Sequence, residues 1–274
     1  MPKDGSFTME GNTRVVVVKN DQALSTLAAG IVAGVVWSRP DAVLGLPTGT
    51  TPEGMYRVLS NLGVRFAGVQ TFNLDEYVGL SADHPQSYHS YMKRHLFSQV
   101  DLKPEQCHLP NGMATDLAAE CQRYEQAIRQ AGGIDLVVLG LGPNGHIGFN
   151  EPGVPWDSRT RRVKLAEATQ VANARFFGAR QAVPSEALTM GIGSILEARR
   201  VLLLVSGASK ASIAKQFLAG PVTTGVPATA LRQHPDVTVV LDRAAAGLWA
   251  ASAAISRDLV SGGEVHQVVF GKSR

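Results

Sequence analysis

Three short stretches of this 274-residue chain carry the residue types that acid–base and phosphate chemistry require. The richest runs from Asp135 to Gly153, DLVVLGLGPNGHIGFNEPG, where an apolar run ends in glycines and then presents Asn144, His146 and Glu151. An imidazole with a carboxylate nearby is an acid–base pair that titrates near neutrality. The glycines let the backbone turn tightly and bring His146 to a crevice mouth, with Asn144 and Glu151 close enough in sequence to orient it. A lone surface His beside an unrelated Glu is the commoner arrangement, but the crowding of His, Asn and Glu into one Gly/Pro-rich loop favours chemistry.

The second stretch, TFNLDEYVGL at 71–80, sets Asp75 and Glu76 directly after an apolar run. Neighbours on an extended chain point to opposite faces, so at most one carboxylate enters a given crevice, and spacing alone does not choose between them. A partly buried carboxylate has a raised pKa suited to a general base, whereas a helix cap or a salt bridge is the commoner fate of a lone Asp. The third stretch, LGLPTGTTPEGMY at 44–56, offers Thr48, Gly49, Thr50 and Thr51 ahead of a helix that starts near Pro52. Hydroxyls and backbone N–H groups at a helix N-terminus suit a phosphate, and an ordinary strand-to-helix turn explains the same residues about as well. Two familiar nucleotide motifs fail: the third stretch lacks the Lys of a Walker loop, and Gly140, Gly142 and Gly145 spell GxGxxG but lead into a turn-rich loop instead of a helix.

The elements that must position these residues are legible from periodicity. Apolar runs at Val15–Val18, Ala42–Leu46, Gln70–Asn73, Asp135–Leu141, Arg200–Val205 and Val237–Leu241 are expected to be strands covered on both faces. Helices are expected over 21–38 from an N-cap at Asp21, then 52–61, 87–97 after Ser87, 115–131, 184–197, 209–219 and 243–258. Such alternation predicts an α/β fold: a doubly wound, mostly parallel sheet with helices on both faces, Rossmann-like. The irregular stretch from Gly142 to about Thr169 predicts a binding loop, with a lid-like segment after residue 150. Residues 1–12 are expected to form a flexible arm ahead of a single domain at 13–274. In open parallel sheets the ligand crevice lies beyond the carboxyl ends of the strands, where all three stretches fall.

Composition excludes other classes. With 26 basic against 23 acidic residues the formal charge is only +3, and Arg159, Arg161, Arg162 and Lys164 make the only local basic cluster, so no nucleic-acid partner is expected. Cys107 and Cys121 form no metal-ligand or disulfide spacing, so neither a metal nor a cofactor is implied. No apolar stretch is long enough to span a bilayer and no leader-like segment opens the chain, so a cytoplasmic location is expected.

From about Val15 to Asp242 the sequence resembles the glucosamine-6-phosphate deaminases, also called isomerases. The resemblance rests on the three stretches above together with SYHSYM at 87–92, SRTR and VANARFF within 158–177, and GASKA at 207–211. It implies an aldose–ketose isomerisation with loss of ammonia, converting glucosamine 6-phosphate into fructose 6-phosphate without a cofactor. It implies Asp75 as the base that moves the C2 proton and His146 as the group that opens the sugar ring, assisted by Glu151 and Asn144. Thr48–Thr51, Arg175 and Lys210 are implied to hold the phosphate. Well-studied members carry Asp at the place of Asn144, and because Asn takes no proton, Glu151 is expected to be the main partner of His146. In allosterically activated members a basic residue stands where this chain has Val163, so N-acetylglucosamine 6-phosphate is not expected to activate. A homo-oligomer is a further implication of the resemblance.

Rival readings are a galactosamine 6-phosphate deaminase, a phosphosugar lactonase, a non-catalytic sugar-phosphate sensor and a dinucleotide-dependent dehydrogenase. The C4 epimer is the serious competitor, since its recognition depends on pocket shape. A lactonase needs neither an enolising base nor a ring-opening loop. A sensor is expected to carry a DNA-binding helix-turn-helix ahead of the first strand, for which no room is seen before Arg14. A dehydrogenase fails because the residues after Gly145 continue as a loop and open no helix.

Overall fold

The computed structural model describes residues 13–178, 183–252 and 265–270. The arm expected over residues 1–12 lies outside the described residues. In chain order the elements are β1 (Thr13–Val18), α1 (Asp21–Ser38), β2 (Val43–Leu46), α2 (Glu53–Asn61), β3 (Gln70–Asn73), β4 (Asp75–Tyr77), α3 (Tyr88–His95), β5 (Cys107–His108), α4 (Leu117–Gln130) and β6 (Leu136–Gly140). There follow β7 (Arg161–Lys164), α5 (Glu167–Phe177), β8 (Glu186–Thr189), α6 (Ile192–Leu196), β9 (Val201–Val205), α7 (Ala211–Ala219), β10 (Val237–Asp242), α8 (Arg243–Ser252) and β11 (Val265–Phe270).

Each of the six apolar runs forms a strand of one sheet, ordered β11-β1-β10-β9-β6-β2-β3-β5. Neighbours pair in parallel except β11, which runs antiparallel along β1. Alternate side chains of β9 show why such strands read as continuous apolar runs. Val201, Leu203 and Val205 pack into one buried cluster with α4, α6, α7 and α8. Leu202 and Leu204 pack into the other with α1, α2 and α3. Each such side chain stabilises the fold by about 1.5–3 kcal/mol relative to exposure. Helices thus cover both faces, as a parallel sheet requires.

The ends of the helices follow local chemistry. Asn20, not Asp21, caps α1, its side chain accepting from the Ala23 N–H at 3.0 Å. Ser87 caps α3 and Asp116 caps α4. The expected helix at 243–258 is described as far as Ser252.

One expected helix is replaced. Residues 184–197 form β8 and then the short α6, because β8 finds antiparallel partners in β4 and β7 and makes a second, three-stranded sheet. Pairing across the chain overrides the local helical periodicity there. The segment read as irregular supplies β7 and the first residues of α5, and a small cluster of Tyr77, Phe149, Leu165 and Ala187 joins this layer together.

Strand order fixes the site. From β2 the chain proceeds outward through β3 and β5, whereas from β6 it proceeds through β9 and β10 in the other direction. The adjacent pair β2 and β6 is therefore the switch point at which a crevice opens beyond the strand ends.

Candidate active site

A cavity of about 410 Å3 occupies that crevice and is lined by Thr48, Gly49, Thr50 and Thr51 after β2, Asp75 beyond β3, Asn144 and His146 after β6, and Lys210 after β9. Its volume suits a small polar ligand. The three sequence stretches therefore meet in one place.

The Thr48–Thr51 loop leads into α2 and is braced from behind. The Tyr56 hydroxyl donates to the Pro47 carbonyl at 2.6 Å, and the Tyr91 hydroxyl donates to the Gly49 carbonyl at 2.6 Å. On the far side, the Asp242 carboxylate accepts from the Gly207 N–H at 2.9 Å and from the Ser206 hydroxyl at 2.6 Å. These bonds hold the turn that carries Lys210, whose ammonium is pushed below its ordinary pKa by burial. An anion beside it favours the charged form.

Strand alternation separates the two carboxylates. Asp75 lines the cavity. Glu76 accepts from the backbone N–H groups of Tyr77 at 2.8 Å, Tyr88 at 3.0 Å and His89 at 3.0 Å, and so caps the start of α3. Burial pushes the Asp75 carboxyl up to about 8, with the neighbouring Glu76 charge adding to the rise. Glu76 is also raised by burial, against the pull of its three backbone donors.

The imidazole sits in a directed relay. His146 Nδ1 lies 2.7 Å from Asn144 Oδ1, and Asn144 Nδ2 donates to Glu151 Oε2 at 2.6 Å. The His146 backbone N–H also donates to Asn144 Oδ1, at 3.2 Å. Turning the amide over would set its NH2 against that N–H and its oxygen against the Glu151 carboxylate, so its orientation is determined. Neutral His146 must then carry its proton on Nδ1, leaving Nε2 as an acceptor. Burial holds His146 below the usual imidazole range, Glu151 pulls it upward and Lys210 adds to the depression. Glu151, expected as the main partner of His146, reaches it chiefly through Asn144. Its nearest oxygen is 3.7 Å from Nδ1, and Asn144 stands between.

Glycine makes the relay possible. A Cβ on Gly142 would lie 2.2 Å from His146 Nε2, so the ring occupies space that only glycine leaves. Gly148, with φ +56°, passes where a Cβ would stand 3.3 Å from Asp75 Oδ2, so the same loop backs onto the carboxylate.

Arg175 lies on α5, and its side chain is outside the described residues. Residues that sequence reasoning missed come from α5 and α3. Thr169 Oγ1 donates to Glu151 Oε1 at 2.6 Å, and Asn173 Nδ2 donates to the Tyr77 hydroxyl at 2.9 Å. Tyr88 lines the cavity together with Thr48. Tyr88 and Asn173 fall inside SYHSYM and VANARFF, whose repeated polar and aromatic residues were the available signal. Thr169 had none. Among the described residues no group of three or more His, Cys, Asp or Glu is arranged to hold a metal ion.

Residues 21–240 match the model of a family described as glucosamine-6-phosphate isomerases/6-phosphogluconolactonase. The chain belongs to this family. Among curated relatives, glucosamine-6-phosphate deaminase of Bacillus velezensis is 51% identical over 237 residues, covering 85% of this chain and 98% of the relative. Glucosamine-6-phosphate deaminase 1 of Bacillus subtilis is 50% identical over 239 residues, covering 86% and 99%. Among solved structures, a monomeric glucosamine-6-phosphate deaminase superposes with a TM-score of 0.84 at 50% identity, covering 85% of this chain and 99% of that one. The 6-phosphogluconolactonase of Trypanosoma cruzi superposes with a TM-score of 0.73 at 19% identity and shares the fold.

Proposed function

We propose that the chain is a glucosamine-6-phosphate deaminase, isomerising its substrate to fructose 6-phosphate with release of ammonia. Relatives of that name at about half identity over most of both chains support the activity. The observation that carries the residue assignment is the common cavity of Asp75 and His146, edged by the Thr48–Thr51 loop and Lys210.

In this reading the phosphate sits on the Thr48–Thr51 loop with Lys210, and Arg175 completes the grip. Hydroxyls and N–H groups at a helix start, with a desolvated ammonium, are chemically suited to it. His146 Nε2 takes the proton of the C1 hydroxyl and returns it to the ring oxygen, which opens the pyranose to an aldehyde. The C2 hydrogen, now next to a carbonyl and an ammonium, is acidic enough for the Asp75 carboxylate to remove it and give an enolamine. Return of that proton to C1 leaves an iminium at C2. Water adds there, ammonia departs, and the ketone of fructose 6-phosphate remains. The relay through Asn144 to Glu151 keeps Nδ1 protonated, which supports Nε2 as the initial acceptor.

Residues 13–274 are read as one α/β domain, supported by a cavity that draws on loops after β2, β3, β6 and β9. Among the described residues no helix is long and apolar enough to cross a membrane. Cys107 and Cys121 are free thiols, which supports a reducing, cytoplasmic setting. The solved deaminase at 50% identity is described as monomeric, which supports activity without assembly into the homo-oligomer that the resemblance implied.

The test is ammonia release from glucosamine 6-phosphate beside galactosamine 6-phosphate. Turnover of the first and little of the second is expected. Preference for the galactose epimer, or no ammonia from either, overturns the assignment.

A further inference from the structure

The Glu151 carboxylate is held from both sides. Asn144 occupies Oε2, and Thr169 on α5 donates to Oε1 at 2.6 Å from a position almost closed to solvent. Each member has one assignable direction. The Thr169 hydroxyl donates to Glu151, the Asn144 amide donates to Glu151, and His146 Nδ1–H donates to Asn144. A hydroxyl at the far end of this chain of interactions has no obvious part in proton transfer, and it does not need one. It holds the Glu151 carboxylate in place against the Asn144 NH2, and so supports the amide orientation that keeps the His146 proton on Nδ1.

From this geometry we propose that Thr169 is a positioning residue for His146, acting through Glu151 and Asn144 to keep the Nε2 lone pair facing the cavity. The proposal rests on the ring-opening role of His146 given above. Its consequence is that the acid–base relay is complete only with α5 seated, although α5 supplies none of the relay's titrating groups. Four residues further along the same helix face, Asn173 bonds the Tyr77 hydroxyl. That hydroxyl in turn accepts from the Tyr88 hydroxyl at 3.4 Å, and Tyr88 shares the cavity wall with Thr48 of the phosphate loop. One helix thus bonds the proton relay directly and approaches the anion loop by way of Tyr77 and Tyr88.

The test compares Thr169→Val and Thr169→Ser with the unaltered enzyme. Valine keeps the shape and loses the hydroxyl; serine keeps the hydroxyl. The valine variant is expected to lose about 10–100-fold in kcat with KM changed less than about threefold, as disturbance of a general acid–base group should. Serine is expected to restore most of the rate. Nitrogen-15 shifts of the His146 ring are expected to report Nδ1–H in the unaltered and serine proteins and a mixture of tautomers in the valine variant. Unaltered kcat, or an unchanged tautomer in the valine variant with a normal melting temperature, overturns the proposal. Equal losses in valine and serine variants, assigning the effect to packing, also overturn it. If the unaltered enzyme releases no ammonia, the functional reading fails instead, and the ring nitrogen shifts still decide the positioning claim.

Discussion

Asp75 and Glu76 leave adjacent positions of one strand for different tasks: Asp75 lines the cavity, and Glu76 turns to three backbone N–H groups, two of them at the start of α3. The second carboxylate is a structural neighbour whose charge raises the proton affinity of the first.

Asp75→Asn should lower kcat by about 10²–10⁴-fold, the usual cost of losing a general base. It should also stabilise the fold in a pH-dependent way. The folded-state pKa of about 8 lies above the ordinary carboxylate value, so between pH 4 and 8 the folded chain holds a proton that the unfolded chain has released. Stability conferred by that proton is present below this window and is lost as pH rises through it. Asparagine has no such loss, so its melting temperature should exceed that of the unaltered protein at pH 8.5 and approach it near pH 4.5.

Glu76→Gln should cost about 1–2 kcal/mol, because the amide offers one acceptor oxygen where a carboxylate met three donors. Turnover should survive. Removing the Glu76 charge should also move the rising limb of kcat/KM, which follows Asp75 deprotonation, toward lower pH. A pH–rate profile beside a thermal melt checks both.

Gly142→Ala should displace the imidazole, since the added methyl and the ring claim the same space. A fall of at least about 100-fold in kcat is expected, comparable to losing the acid–base group itself. Steady-state kinetics on protein with an intact circular dichroism spectrum tests this.

N-acetylglucosamine 6-phosphate should leave the velocity curve unchanged. Val163 is packed against the cluster around Tyr77. The nearby arginines are engaged: Arg161 donates to Asn150 at 2.9 Å, Arg162 pairs with Glu186 and Arg159 with Glu197. A curve that turns from sigmoidal to hyperbolic on addition of the compound contradicts this.

The central sheet was legible because strands covered on both faces must be apolar throughout, and runs such as Val201–Val205 have no other economical reading. The small sheet was not. Its strands are short and polar, as in Arg161–Lys164, and exist because β8 finds partners remote in sequence. Helix α5, EATQVANARFF, follows the charged stretch SRTRRVK and lacks a clear apolar stripe. At the site, motif content brought Asp75, His146 and the threonine loop together correctly. Alternation said that Asp75 and Glu76 part, but only the seating of α3 says which one stays. The order His146, Asn144, Glu151, Thr169 depends on side-chain directions that spacing does not encode.

Strands β2, β3 and β6 lie side by side, with Leu46 opposite Asn73 and Leu44 opposite Leu136. A slip of one residue along β3 inverts every side chain beyond it and would send the Asp75 carboxyl toward α3. Spectroscopic helix and strand content would barely change. Turnover therefore serves as an assay of strand alignment, able to separate correctly threaded molecules from compact impostors in a refolded sample.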